Sequence, residues 1–135
     1  MLLSKEITFD YAHRLAHHGG ACSNLHGHTG RLVVEIEGTP DPTTGMVMDF
    51  SDLKAVLQPV RQRLDHVLIL NVEFDSFLIE ALRPFGFHIT AFPFEPTAEN
   101  LAKWAYNELR TSLPVSRVIF YETLNNWATY EGGEA

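Results

Sequence analysis

A chain of 135 residues, 45% hydrophobic and 20% charged, has a globular composition and is long enough to bury roughly two thirds of its unfolded surface around one core. Its formal net charge of −7, with ten lysines and arginines scattered along the sequence, argues against a nucleic-acid partner, which needs a concentrated basic surface. No stretch reaches the roughly 18 apolar residues of a membrane span, Lys5, Glu6 and Asp10 interrupt any apolar export signal, and a lone cysteine makes no intrachain disulfide. One cytoplasmic domain over residues 1–135 is expected.

From Leu3 to Ala12, Ile7, Phe9 and Tyr11 alternate with Glu6, Thr8 and Asp10, the period of a strand with one buried face. Gly19, Gly20, Ser23, Asn24 and Gly27 mark a loop from about Leu15 to His28. Alternation returns from Arg31 to Gly38, so the two strands read as an antiparallel pair joined by a long loop. The run Thr39 to Gly45, with Pro40 and Pro42, breaks the pairing. Asp49 or Ser51 can then cap a helix from Phe50 to Leu64, whose Leu53, Val56, Leu57, Val60 and Leu64 recur at three- and four-residue steps, with a kink expected at Pro59.

Val67 to Pro96 is rich in Phe and poor in periodicity, with a short helix expected near Ser76 to Leu82. Thr97 caps a second main helix with Leu101, Ala102, Ala105 and Leu109 as its buried stripe, ending before Pro114. Val115 to Thr123 and Trp127 to Tyr130, separated by Leu124, Asn125 and Asn126, read as a closing hairpin. The order β-β-α-α-β-β predicts an α+β domain, a four-stranded antiparallel sheet with two helices on one face. Its other face and edges need cover, which oligomerisation would supply.

Five of the seven histidines fall between His13 and His28. His26 and His28 lie two apart on a strand and project to one face; His13 ends the neighbouring strand. Three converging imidazoles with an open fourth position form a catalytic zinc arrangement, against the plainer reading of loop histidines at a surface turn. His17 and His18 read as loop residues. Cys22 lies four residues before His26, where a metal or imidazolium would favour its thiolate. Asp65 beside His66 suggests a proton relay or, equally, a cation at a helix C-terminus. Glu122 follows the apolar run Val118 to Tyr121 and needs a partner if buried; the alternative is an outward edge-strand glutamate. Arg14 and Arg31, near the histidines, suit a small phosphorylated ligand.

Six motifs together resemble one family, the 6-pyruvoyl-tetrahydropterin and 6-carboxy-tetrahydropterin synthases, along nearly the whole chain. They are Phe9 to Leu15, Cys22 to His28, Gly45 to Phe50, Leu64 to His66, Pro96 to Asn100 and Tyr121 to Thr123. The resemblance implies the tunnelling fold, whose subunits associate into a barrel, usually a hexamer built as a dimer of trimers, with active sites between subunits. It implies zinc held by His13, His26 and His28. It further implies a 7,8-dihydroneopterin triphosphate substrate, Cys22 as general base assisted by Asp65 and His66, and Glu122 binding the pterin ring. The three-residue gap between Cys22 and His26 resembles the bacterial 6-carboxy enzymes of queuosine biosynthesis more than the eukaryotic pyruvoyl enzymes. Gly30 departs from the family, which commonly carries an aromatic side chain there. Two rivals are a metal- or pterin-binding protein without turnover and a structural barrel subunit with incidental histidines.

Overall fold

The computed structural model describes residues 1–133. Leu2–His13 forms β1 and His26–Glu37 forms β2, antiparallel along their whole length from Leu2 opposite Glu37 to His13 opposite His26. The chain then passes through helix α1 (Phe50–Leu64), strand β3 (Val67–Asn71), helix α2 (Ser76–Leu82), strand β4 (Ile89–Phe92), helix α3 (Ala98–Leu109) and strands β5 (Val115–Tyr121) and β6 (Trp127–Tyr130). Asp49, rather than Ser51, caps α1 by accepting the Ser51 N–H at 2.7 Å. Thr97 caps α3 by accepting from Asn100 N at 3.2 Å. Helix α1 runs unbroken through Pro59.

The sheet order is β4-β3-β1-β2-β5-β6. The four expected strands are present and mutually antiparallel in the order β1-β2-β5-β6. The expectation of a four-stranded, two-helix domain is corrected by the unit β3-α2-β4, which adds two strands parallel to β1 and a third helix. The reason is local: Val67-Leu68-Ile69-Leu70 is a continuous apolar run without alternation, and Ile89–Phe92 is only 4 residues long. Parallel pairing also requires a crossover, which α2, lying where expected, supplies.

One face of the sheet packs under α1 and α3. Ile7, Phe9, Leu32, Val34, Ile36, Val118 and Phe120 meet Leu53, Leu57 and Leu64 of α1 and Leu101, Ala102 and Ala105 of α3 in one core. Each fully buried leucine or isoleucine contributes roughly 2 kcal/mol of transfer free energy. The opposite face carries Glu6, Arg31, Glu35 and Arg117, paired as Arg31 with Glu6 at 3.6 Å and Arg117 with Glu35.

The β3-α2-β4 unit is pinned to the loop after β1 by a buried ion pair. Asp75 is fully buried; one carboxylate oxygen meets the Arg14 guanidinium and the other accepts from Asn71 N at 2.9 Å. Arg14 Nε also donates to Ser23 O at 3.0 Å. Removing one member of a buried pair strands the other, so Asp75→Ala is expected to lower stability by about 3 kcal/mol. A urea melt should show the midpoint fall with unchanged slope; a midpoint indistinguishable from wild type would contradict this role.

Candidate metal centre and active site

The β1–β2 register sets the site. His13 faces His26 across the ladder and Tyr11 faces His28; because strand side chains alternate, His13, His26 and His28 all project to the inner face. Their rings stand edge to face, with centroids 4.7, 5.2 and 4.9 Å apart, and one nitrogen from each lies within 4.8 Å of the others. His13 Nδ1 is 2.8 Å from Pro96 O and His26 Nδ1 is 2.7 Å from Asn24 O. Only an N–H can make those bonds, so both rings carry a proton on Nδ1 and turn Nε2 inward. All three Nε2 atoms are buried without a hydrogen-bond partner among the described residues.

Burial is the main cause that pushes His13 down to about 4, against the Pro96 bond and with help from His26 and His28. Burial likewise lowers His28, opposed by Glu122. Two imidazoles whose Nδ1 protons are committed to carbonyls, and three converging Nε2 atoms that make no hydrogen bond among the described residues, are the chemistry of a metal site, and this donor set fits a metal ion. Among the described residues no fourth side chain joins the group, which leaves coordination open.

Cys22 sits half-buried in a one-turn 3-10 segment, Ala21–Ser23, in the loop between β1 and β2. That loop is tied down: Leu15 N donates to Cys22 O at 2.8 Å and Arg14 grips Ser23 O. The thiol is outside the 4.8 Å histidine group, so it neighbours the site along the chain without being a ligand. His17 and His18 are exposed; His17 packs on Phe74 and His18 accepts from Gly20 N. Neither joins the trio, as expected.

Asp65 and His66 form a second group with Asp10 on the other face of β1. Asp65 Oδ1 accepts from Asp10 N at 3.0 Å and lies 3.0 Å from His66 Nδ1. Neighbouring side chains seldom meet, but His66 has a positive φ of 55°, which swings its ring back onto Asp65. For Asp65, burial raises its pKa, yet the Asp10 N–H, His66 and Arg61 together hold it below the usual carboxylate range. His66 is 78% accessible. Among the described residues Asp65 and His66 group with Asp10 and not with the histidine trio. Glu122 lies one residue beyond β5, three quarters buried, with Oε1 3.5 Å from His28 Nε2.

Residues 2–133 match the family model described as 6-pyruvoyl tetrahydropterin synthase. The chain belongs to that family. It is 36% identical over 137 residues to the 6-carboxy-5,6,7,8-tetrahydropterin synthase of Haemophilus influenzae, covering 96% of this chain and 97% of the relative. A Synechocystis sp. protein of the same name is 41% identical over 113 residues, with 80% and 74% covered. The solved Caenorhabditis elegans 6-pyruvoyl tetrahydropterin synthase superposes with a TM-score of 0.74 at 26% identity, covering 98% of this chain and 96% of that one.

Against the family pattern, the space above Gly30 is already filled. A Cβ there would lie 2.5 Å from Phe9 Cε2 and 2.9 Å from Tyr11 Cε1, so rings from β1 occupy the volume that an aromatic at position 30 would claim. Residue-type reasoning singled out neither the Pro96 and Asn24 carbonyls that orient the ligands nor the Arg14–Asp75 tether. Pro96 does lie within one of the six sequence motifs, and its carbonyl meets His13 Nδ1.

Proposed function

We propose that the protein is a zinc-dependent lyase of queuosine biosynthesis, acting on 7,8-dihydroneopterin triphosphate. With one water, the products are 6-carboxy-5,6,7,8-tetrahydropterin, acetaldehyde and triphosphate. The observation that carries this reading is the trio of inward, unpartnered Nε2 atoms of His13, His26 and His28. The relatives named 6-carboxy-5,6,7,8-tetrahydropterin synthase support the choice of product. When bound, zinc would supply Lewis acidity toward the oxygens of the substrate side chain.

The chain's own residues divide the remaining work. The Glu122 carboxylate takes the N–H edge of the pterin in paired charge-assisted hydrogen bonds, which orients the ring and points its side chain toward the histidines. Cys22 Sγ accepts a proton from the side-chain carbon, acting as general base. In the Asp65–His66 pair, Asp65 accepts from Nδ1–H and so leaves Nε2 as the atom that takes up and returns protons. His66 is accessible and stands in a group separate from the histidine trio, which supports a site completed by a neighbouring copy in a homo-oligomeric barrel, a hexamer built as a dimer of trimers. A single domain spanning residues 1–135 in the cytoplasm accords with this reading; among the described residues no helix is long and apolar enough to cross a membrane.

The second reading is triphosphate elimination to a 6-pyruvoyl product, favoured by the family description and the Caenorhabditis elegans neighbour. Incubating the zinc-loaded protein with 7,8-dihydroneopterin triphosphate, without added reductant, and identifying products by mass spectrometry separates them. Acetaldehyde with the 6-carboxy product is the expected result. A pyruvoyl product selects the second reading, and unchanged substrate overturns both.

A further inference from the structure

Tyr11 has no part in the chemistry assigned above, yet its hydroxyl is the one buried side-chain polar atom without a partner, other than the three ligand nitrogens, among the described residues. The residue is only 4% exposed. Its ring lies 5.2 Å from His13, 5.6 Å from His28 and 6.0 Å from Phe120, with one edge passing over Gly30. Packing alone would be served as well by phenylalanine, the residue that stands at Phe9 and Phe120 on the same face. A hydroxyl kept in such a place without a protein partner asks for one from elsewhere.

The register indicates where that partner would sit. The β2–β5 ladder ends with Arg31 opposite Tyr121, so Gly30 and Glu122 are the next positions along the two strands and share the inner-face parity of Leu32 and Phe120. Because Gly30 has no side chain, the Tyr11 ring can cross β2 at that level. Its hydroxyl makes no hydrogen bond to Glu122. The two groups are complementary in what they can recognise, since the carboxylate only accepts hydrogen bonds and the phenol can donate one.

We infer that Tyr11 is a ligand-binding, specificity-determining residue whose hydroxyl donates to a ring acceptor of the heterocycle whose N–H edge Glu122 takes. The inference rests on the pterin reading of the site. An aminopyrimidinone ring carries acceptors on either flank of its N–H edge, so a carboxylate and a phenol side by side read a donor–acceptor pattern that neither reads alone. A heterocycle with that edge but no flanking acceptor would leave the phenol unpaired and be discriminated against.

The test uses the zinc-loaded protein and 7,8-dihydroneopterin, which lacks the triphosphate leaving group, as a binding probe. Affinity, bound zinc and melting temperature are measured for wild type and Tyr11→Phe. The variant is expected to bind the probe about tenfold more weakly, with zinc content unchanged and a melting temperature equal to or above wild type, since a buried unpaired hydroxyl has been removed. Equal affinity overturns this inference and leaves the pterin reading standing. A weaker affinity accompanied by zinc loss or a lower melting temperature assigns Tyr11 to packing and overturns it too. No binding by wild type removes the pterin reading and this inference with it.

Discussion

His13→Ala is expected to empty the metal centre. His13 is fully buried, with its Nδ1 proton committed to Pro96 O and its Nε2 facing His26 and His28. Alanine removes one of three ligands and leaves two nitrogens with no third to close the set. Loss of an outer hydrogen-bond partner of a ligand already costs 10–100-fold in metal affinity, so loss of the ligand itself should exceed about 100-fold. Metal analysis after gel filtration should find the variant essentially metal-free, and turnover should vanish with the metal. A variant that is active without metal would refute the assignment of the trio.

Cys22→Ala should separate chemistry from binding. The thiol lies outside the histidine group, and the contacts that hold its turn, among them Leu15 N to Cys22 O, Asn24 N to Ala21 O and Arg14 Nε to Ser23 O, do not use the Cys22 side chain. The turn should therefore survive the substitution. Zinc content and affinity for 7,8-dihydroneopterin are expected to stay at wild-type levels while kcat falls by about 10²–10⁴, the range for loss of a positioned general base. A kcat within a few-fold of wild type would remove Cys22 from the chemistry. It would also revive the rival reading of a binder whose thiol is incidental.

The histidine trio was legible because its geometry is strand geometry. A His-x-His pair on a strand must share a face, and a histidine at the end of the preceding strand is brought opposite by antiparallel pairing, which the register bears out at His13 and His26. The helices were legible through their stripes and caps, down to Thr97 and, as one of two candidates, Asp49. Strands β3 and β4 were not, since each is a short run whose identity comes from its neighbour in the sheet, β1 for β3 and β3 for β4, rather than from its own pattern.

The Asp65–His66 contact was hidden for a different reason. It depends on one left-handed backbone angle at His66, at a non-glycine position where no residue-type rule places it. Gly30 looked like a loss against the family pattern. Only the cross-strand neighbours Phe9 and Tyr11 reveal that the volume is filled from β1, and such a compensation between strands 19 or more positions apart in sequence has no local signal.

The most direct test of the account is to strip the metal with a chelator, remove the chelator, and titrate zinc back while following turnover of 7,8-dihydroneopterin triphosphate on the same sample. Turnover should be absent at the start, rise in proportion to added zinc and level off at about one ion per chain, as a single three-histidine site requires. Full turnover by the stripped protein, or a rise that ignores this stoichiometry, would contradict it.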